Sequence, residues 1–386
     1  MITMGASIGL SSGASGGRPG GSAVPAGTGG ARLTGGAGGA GGAGAPSRSA
    51  TGAGVGGAER ALVSALAAIA EDARVARAQE AVREASAELR WHEALRRRWR
   101  EARAEAAIRG AIASGAIEGA LVSASTLREQ VAAGRLERPL SGDPSLDAVA
   151  GIWRAGVRLT GFMPDLRGQG RPAEPSPRSL LAGLHRDLAG PLAASGAIGL
   201  DEVAVPRTAL PPGRGGAEGE NGADGVAGAD GVAGARSSGG AVSSVALGAA
   251  PREGGPGSAP RGRALVERLD ALLAIIAAPG VPALVRAAVV HGEMIAARPF
   301  TAGNAALGRL LVRHLITRDG LEPTGVAVPD TYARRAPGAY SDAAASYARG
   351  DAEGVIAWTI WQAEAILVGI TEGVELCRAI QAGRTG

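Results

Sequence analysis

At 386 residues with 45% hydrophobic side chains, the chain is long enough for one or two packed cores, but 64 glycines and 22 prolines mean the folded part is smaller than its length. All 40 basic residues are arginine and the formal net charge is only +4, so nucleic acid is a disfavoured partner on charge grounds. The single cysteine, Cys377, excludes an intramolecular disulfide and argues against a cysteine-based metal cluster; with no signal-like N-terminus and no apolar run of the roughly 18–20 residues needed to span a bilayer, the expectation is a soluble cytoplasmic protein with no membrane partner.

Residues 1–56 are Gly, Ala, Ser and Thr with almost no large apolar side chains, which predicts a disordered tail. From 57 to 112 proline vanishes and Leu, Ala, Arg and Glu recur at helical spacing, predicting N-terminal helices. The basic, aromatic stretch Trp91–Arg100 reads as a solvated arginine face with packed tryptophans. Residues 113–119 spell Ala-Ser-Gly-Ala-Ile-Glu-Gly, with Ser114, Glu118 and Gly119 as its distinctive members. The pattern stays mostly helical to about 175; the Gly-rich run at 167–172 lacks the Lys-Ser/Thr of a P-loop and the strand that precedes one. His185, in the amphipathic stretch Ser179–Leu188, reads as a packed structural histidine because no second ligand lies at helical spacing. Residues 203–260 form a low-complexity insertion predicted to be disordered, followed by a core helix carrying Leu265, Leu269, Leu272 and Ile276.

Residues 291–313 then read as helix, tight loop, helix. Pro282 suits a helix start, Pro299 ends that helix, and Gly303-Asn304 turns the chain. Leu307, Leu310, Leu311, His314 and Leu315 make the apolar stripe of the second helix, with Arg309 and Arg313 on its other face. A loop feeding a helix start presents free amides and the positive end of the helix dipole, which suits a phosphate group. Tyr332, Tyr340 and Tyr347 follow, then Asp351 as an N-cap and a long helix in which Trp358 and Trp361 read as core.

The loop resembles the signature of the Fic/Doc family, His-Pro-Phe-x-Asp/Glu-Gly-Asn-Gly-Arg-x-x-Arg. Pro299, Phe300, Gly303, Asn304 and Arg309 match it in place. Arg298 stands at the catalytic histidine, Ala302 at the magnesium-binding acid, Ala305 at a loop glycine and Ala306 at the first arginine. Residues 113–119 resemble the family's inhibitory motif, Ser/Thr-x-x-x-Glu-Gly/Asn, whose glutamate pairs with the second loop arginine, here Arg309. The resemblance implies a mainly α, Fic-like helical domain over 57–380, and a function related to transfer of AMP from ATP to a protein hydroxyl.

It also implies a ligand set: Arg298, Gly303, Asn304 and Arg309 for ATP, another nucleotide or another phosphate ligand, with Ser114, Glu118 and Gly119 inhibitory. Arginine is always charged and cannot serve as a base, and without an acid at 302 no metal site is expected and magnesium is doubtful. His291 lies two turns before the loop, about 10 Å away by helical rise, and is a poor substitute. Three readings stay open: a degenerate Fic-like regulator or scaffold that binds a nucleotide, an enzyme with altered chemistry, and a helical module that binds a protein target or partner. The oligomeric state is not legible.

Overall fold

The computed structural model describes residues 52–137, 141–168, 170, 172–209, 259–278 and 280–384. Almost all of the predicted N-terminal tail, and the bulk of the insertion, lie outside them. Every regular element among the described residues is helical, as the periodicity and the resemblance implied. The helices are α1 Gly52–Glu71, α2 Ala73–Arg90, α3 Glu93–Arg97, α4 Trp99–Ile117, α5 Ala124–Ala132, α6 Pro144–Thr160 and α7 Pro177–Ala194. After the insertion come α8 Gly262–Ala277, α9 Ala283–Ala297, α10 Asn304–Arg318, α11 Asp330–Arg335, α12 Pro337–Ala348 and α13 Ala352–Gln381.

Local chemistry sets many of these boundaries. Ser123, Asp143 and Ser176 accept amide hydrogens of the first turns of α5, α6 and α7, and α6 and α7 open on Pro144 and Pro177. Asp351 caps α13, as expected from the sequence, by accepting from the Gly354 amide at 2.6 Å. Each such cap contributes about 1 kcal/mol.

The core forms where α9 and α10 lie against each other and α13 closes over α2, α9 and α12. Gly308 lets α9 and α10 approach closely, since a Cβ there would sit 2.7 Å from the His291 ring. Trp358 is fully buried, donates its indole N–H to the Ala288 carbonyl at 2.7 Å and stacks on Trp361, so this pair is core as expected.

Two boundaries differ from the sequence reading. Helix α1 starts at Gly52, inside the predicted tail, and residues 203–209, assigned to the insertion, are held in place. They carry a 3-10 turn, Arg207–Ala209, because their backbone and side chains bond α7 and the loop after α9, a long-range effect that composition does not encode. The expectation about apolar runs also needs correction. Helix α13 is long and apolar enough to cross a membrane, with an 18-residue window of mean hydropathy 1.4. Of that window 61% is buried inside the fold, as in a core helix.

Candidate phosphate-binding site

Helix α9 ends at Arg298, which adopts left-handed backbone with φ 45° ahead of Pro299. The chain then turns through Gly303, φ 74°, where a Cβ would also run into Leu188. Asn304 closes the turn on itself: its Oδ1 accepts the Phe300 amide at 2.9 Å and its Nδ2 donates to the Phe300 carbonyl at 2.8 Å. Both polar atoms of this side chain are thus engaged inside the loop, and Asn304 shapes the turn. The amides of Asn304, Ala305 and Ala306 at the start of α10 carry no hydrogen bond among the described residues. Thr301 Oγ1 in the same loop is buried without a partner. Free amides at a helix start, with the dipole behind them, favour an anion.

One turn into α10, Arg309 is buried and reaches across to the end of α4. Its Nη2 lies 2.6 Å from Glu118 Oε1, and Nε donates to Ser114 Oγ at 2.9 Å. Asp330 at the start of α11 approaches Nε at 3.4 Å, and Tyr340 OH accepts from Nη1 at 3.3 Å. The Glu118 side chain is only 7% exposed, so the pair is an interior contact and Glu118 does not simply top a surface helix. Burial works against the Arg309 charge, but Glu118, Tyr340 and Asp330 outweigh it and hold the guanidinium protonated. Gly119, φ 84°, lets the chain leave α4 just beyond Glu118. The structure therefore brings together Ser114, Glu118 and Arg309, while Arg298 sits at the far end of the loop with Nε 3.4 Å from the Ile295 carbonyl.

The histidines near the loop are spent on structure. His291 is fully enclosed: Nδ1 donates to Gln362 Oε1 at 2.9 Å and Nε2 accepts from Tyr340 OH at 3.1 Å, a tautomer assigned from these partners. Burial brings its pKa down to about 3. His185 stacks on Phe300, ring centroids 4.0 Å apart, accepts the Ala204 amide at Nδ1 (2.8 Å) and donates from Nε2 to the Ala302 carbonyl (3.2 Å). Burial brings it down to about 4. Neither ring has a free basic nitrogen to take a substrate proton. Residue 302 is alanine, so the loop offers no carboxylate where the resemblance places the magnesium ligand.

Sequence reasoning missed the clasp around this loop. Arg207 donates its amide to the Pro299 carbonyl at 2.7 Å, Nε to the Arg298 carbonyl at 2.6 Å and Nη2 to the Ala297 carbonyl at 3.0 Å. These are carbonyls that the end of α9 and the αL turn leave open. Ala204 and Arg298 are the two non-glycine residues with positive φ among the described residues; His185 holds the first and Arg207 the second. Such conformations cost on the order of 1–3 kcal/mol each, persist only where the surroundings impose them, and gather at functional loops.

No protein-family model and no curated protein matches the sequence. Among solved structures, the chain is similar to Fic-1 from C. elegans, with 17% identity, a TM-score of 0.50, and 87% of this chain and 77% of that one covered. It is also similar to a Fic family protein from Desulfovibrio desulfuricans G20, with 17% identity, a TM-score of 0.45, and 74% of this chain and 67% of that one covered. At that identity the likeness to the C. elegans structure is one of architecture, and the architecture is a Fic-like helical fold.

Proposed function

We propose that the chain binds a phosphate-bearing ligand, such as a nucleotide, at the start of α10, and acts as a regulator or scaffold without transferring AMP. The observation that carries this reading is the buried contact of Arg309 with Glu118 and Ser114, which joins the two stretches that resemble Fic motifs and sits one turn behind the unpaired amides of Asn304–Ala306. Arg298, at the other end of the loop, adds a second cation. Charge-assisted hydrogen bonds of this kind contribute roughly 1.5–3 kcal/mol each when well formed, so binding without a metal is the expectation. Glu118 competes with the ligand for Arg309. A transfer role is not supported, because Arg298 cannot accept a proton and both neighbouring histidines are engaged.

The test is calorimetric titration of ATP and of pyrophosphate, with and without magnesium, into wild type, Glu118→Gln and Ala305→Asp. Tighter binding in Glu118→Gln is expected. Loss of binding is expected in Ala305→Asp, which suits a helix N-terminus yet repels an anion there. No binding in any folded variant overturns the proposal in favour of a protein-interaction module. Label transferred from ATP to protein in an Arg298-dependent manner overturns it in favour of an enzyme with altered chemistry.

A further inference from the structure

A cleft of about 650 Å³ opens between the start of α4 and the end of α6, bordered by Trp99, Arg100, Arg103, Val157, Met163 and Asp165. That volume is in the range of small-molecule sites. Glu118 lies fifteen residues beyond Arg103 along and just past α4, about 22 Å by helical rise, so the cleft is separate from the loop site.

Its charges are unevenly spent. Arg103 is 1% exposed and uses Nε to donate to the Thr324 carbonyl at 2.7 Å, while its Nη2 is buried with no partner. A purely structural arginine explains the first bond and leaves the second group unexplained. Burial lowers Arg103 to about 10, which keeps it a cation at neutral pH. Arg100 and Arg103 both stack on Trp99, their guanidinium carbons 4.1 and 4.7 Å from the ring centroid. The one acid, Asp165, pairs with Arg100 at 2.9 Å and also accepts the amides of Arg167 and Gly168. Behind the cleft the buried Glu322 and Arg313 also act on Arg103, so three cations meet two carboxylates and leave room for a single negative charge.

Thr160 spends its hydroxyl on the Gly156 carbonyl at 3.0 Å, and the remaining large side chains of the lining are apolar: the Trp99 ring, Met163, and Val157, which is 44% exposed. A bare inorganic anion would make no use of them, and a neutral apolar molecule would make no use of Arg103. We propose that this cleft binds a small apolar monocarboxylate, its carboxylate on the Arg103 guanidinium and its body between Trp99, Val157 and Met163.

The experiment titrates the full chain with hexanoate and benzoate, and with hexanol, benzyl alcohol and inorganic phosphate as matched controls, reading heat and the Trp99 indole N–H resonance. Each carboxylate is expected to bind at least about tenfold more tightly than its alcohol, with the Trp99 signal moving. Val157→Glu, at an exposed position, and Arg103→Met should each remove that advantage while pyrophosphate binding at the loop is unchanged. Equal affinity for acid and alcohol, or carboxylate binding that survives Val157→Glu, overturns the proposal. So does the absence of any response to hexanoate and benzoate, whatever inorganic phosphate does at the loop. Should Arg103→Met fail to fold, the Val157→Glu comparison decides alone.

Discussion

Arg309 and Arg313 lie one turn apart on α10 and are equally buried, yet their surroundings differ in kind. Arg309 faces two carboxylates from other segments, Glu118 at 2.6 Å and Asp330 at 3.4 Å, and its charge is stabilised in spite of burial. Arg313 donates Nη2 to the Gly325 carbonyl at 2.9 Å and leaves Nε without a partner; burial lowers its pKa, only partly offset by Asp330 and Glu322. The first is an ion-pair hub joining the end of α4, α10 and α11, whereas the second braces the loop before α11. The lesson is that helical position and burial do not distinguish a charge held by carboxylates from one committed to holding backbone. The identity of the partner does, because a carboxylate can yield to a phosphate and a main-chain carbonyl has no such substitute.

The largest effect should separate the two residues directly. Arg309→Met leaves Glu118 and Asp330 buried without their cation and should cost about 3–5 kcal/mol in urea unfolding. Arg313→Met, which removes a carbonyl bond and a partly unsatisfied charge, should cost only about 1–3 kcal/mol. Equal losses would break the comparison.

Acid titration probes the neutral histidines behind Arg309 and behind the loop. His291, bonded to the Tyr340 that Arg309 touches, and His185, behind the loop, have folded pKa values of about 3 and about 4, below the unfolded value of about 6.5. The unfolded chain therefore takes up protons first as pH falls, so this stability is complete above about pH 6.5 and is lost progressively below it. Between pH 6.5 and 5 each histidine should account for about 2 kcal/mol. Unfolding midpoints for wild type, His291→Gln and His185→Gln across that window check this, and a variant with the wild-type slope would contradict its assignment.

Removing the clasp should have a smaller and more local effect. Arg207→Ala should cost about 1–2 kcal/mol, with faster amide hydrogen exchange confined to residues 298–304. Uniform protection there would show that the strained turn holds itself. Smallest in stability is Glu118→Gln, about 1 kcal/mol, since an acceptor remains and Asp330 still faces Arg309. On the function proposed above, calorimetry should show its main consequence in tighter pyrophosphate binding.

What the sequence determined by itself is the set of features that depend on neighbours along the chain. Pro299 and Gly303 mark the loop between α9 and α10, the Leu307–Leu315 stripe marks the buried face of α10, and Asp351 marks the start of α13. Each follows from dihedral limits, amide chemistry or helical period, which act over a few residues. The meeting of Glu118 with Arg309 was reached only through resemblance, since nothing local links positions 191 residues apart. Tertiary structure alone decided the rest. Asp330, Tyr340 and Gln362 join Arg309 and His291 from three different helices, and Arg207 and His185 fasten a loop roughly a hundred residues downstream. Their roles come from burial, which makes an unpaired polar group costly and so compels distant segments to supply its partner; no pattern of spacing records which segment that will be.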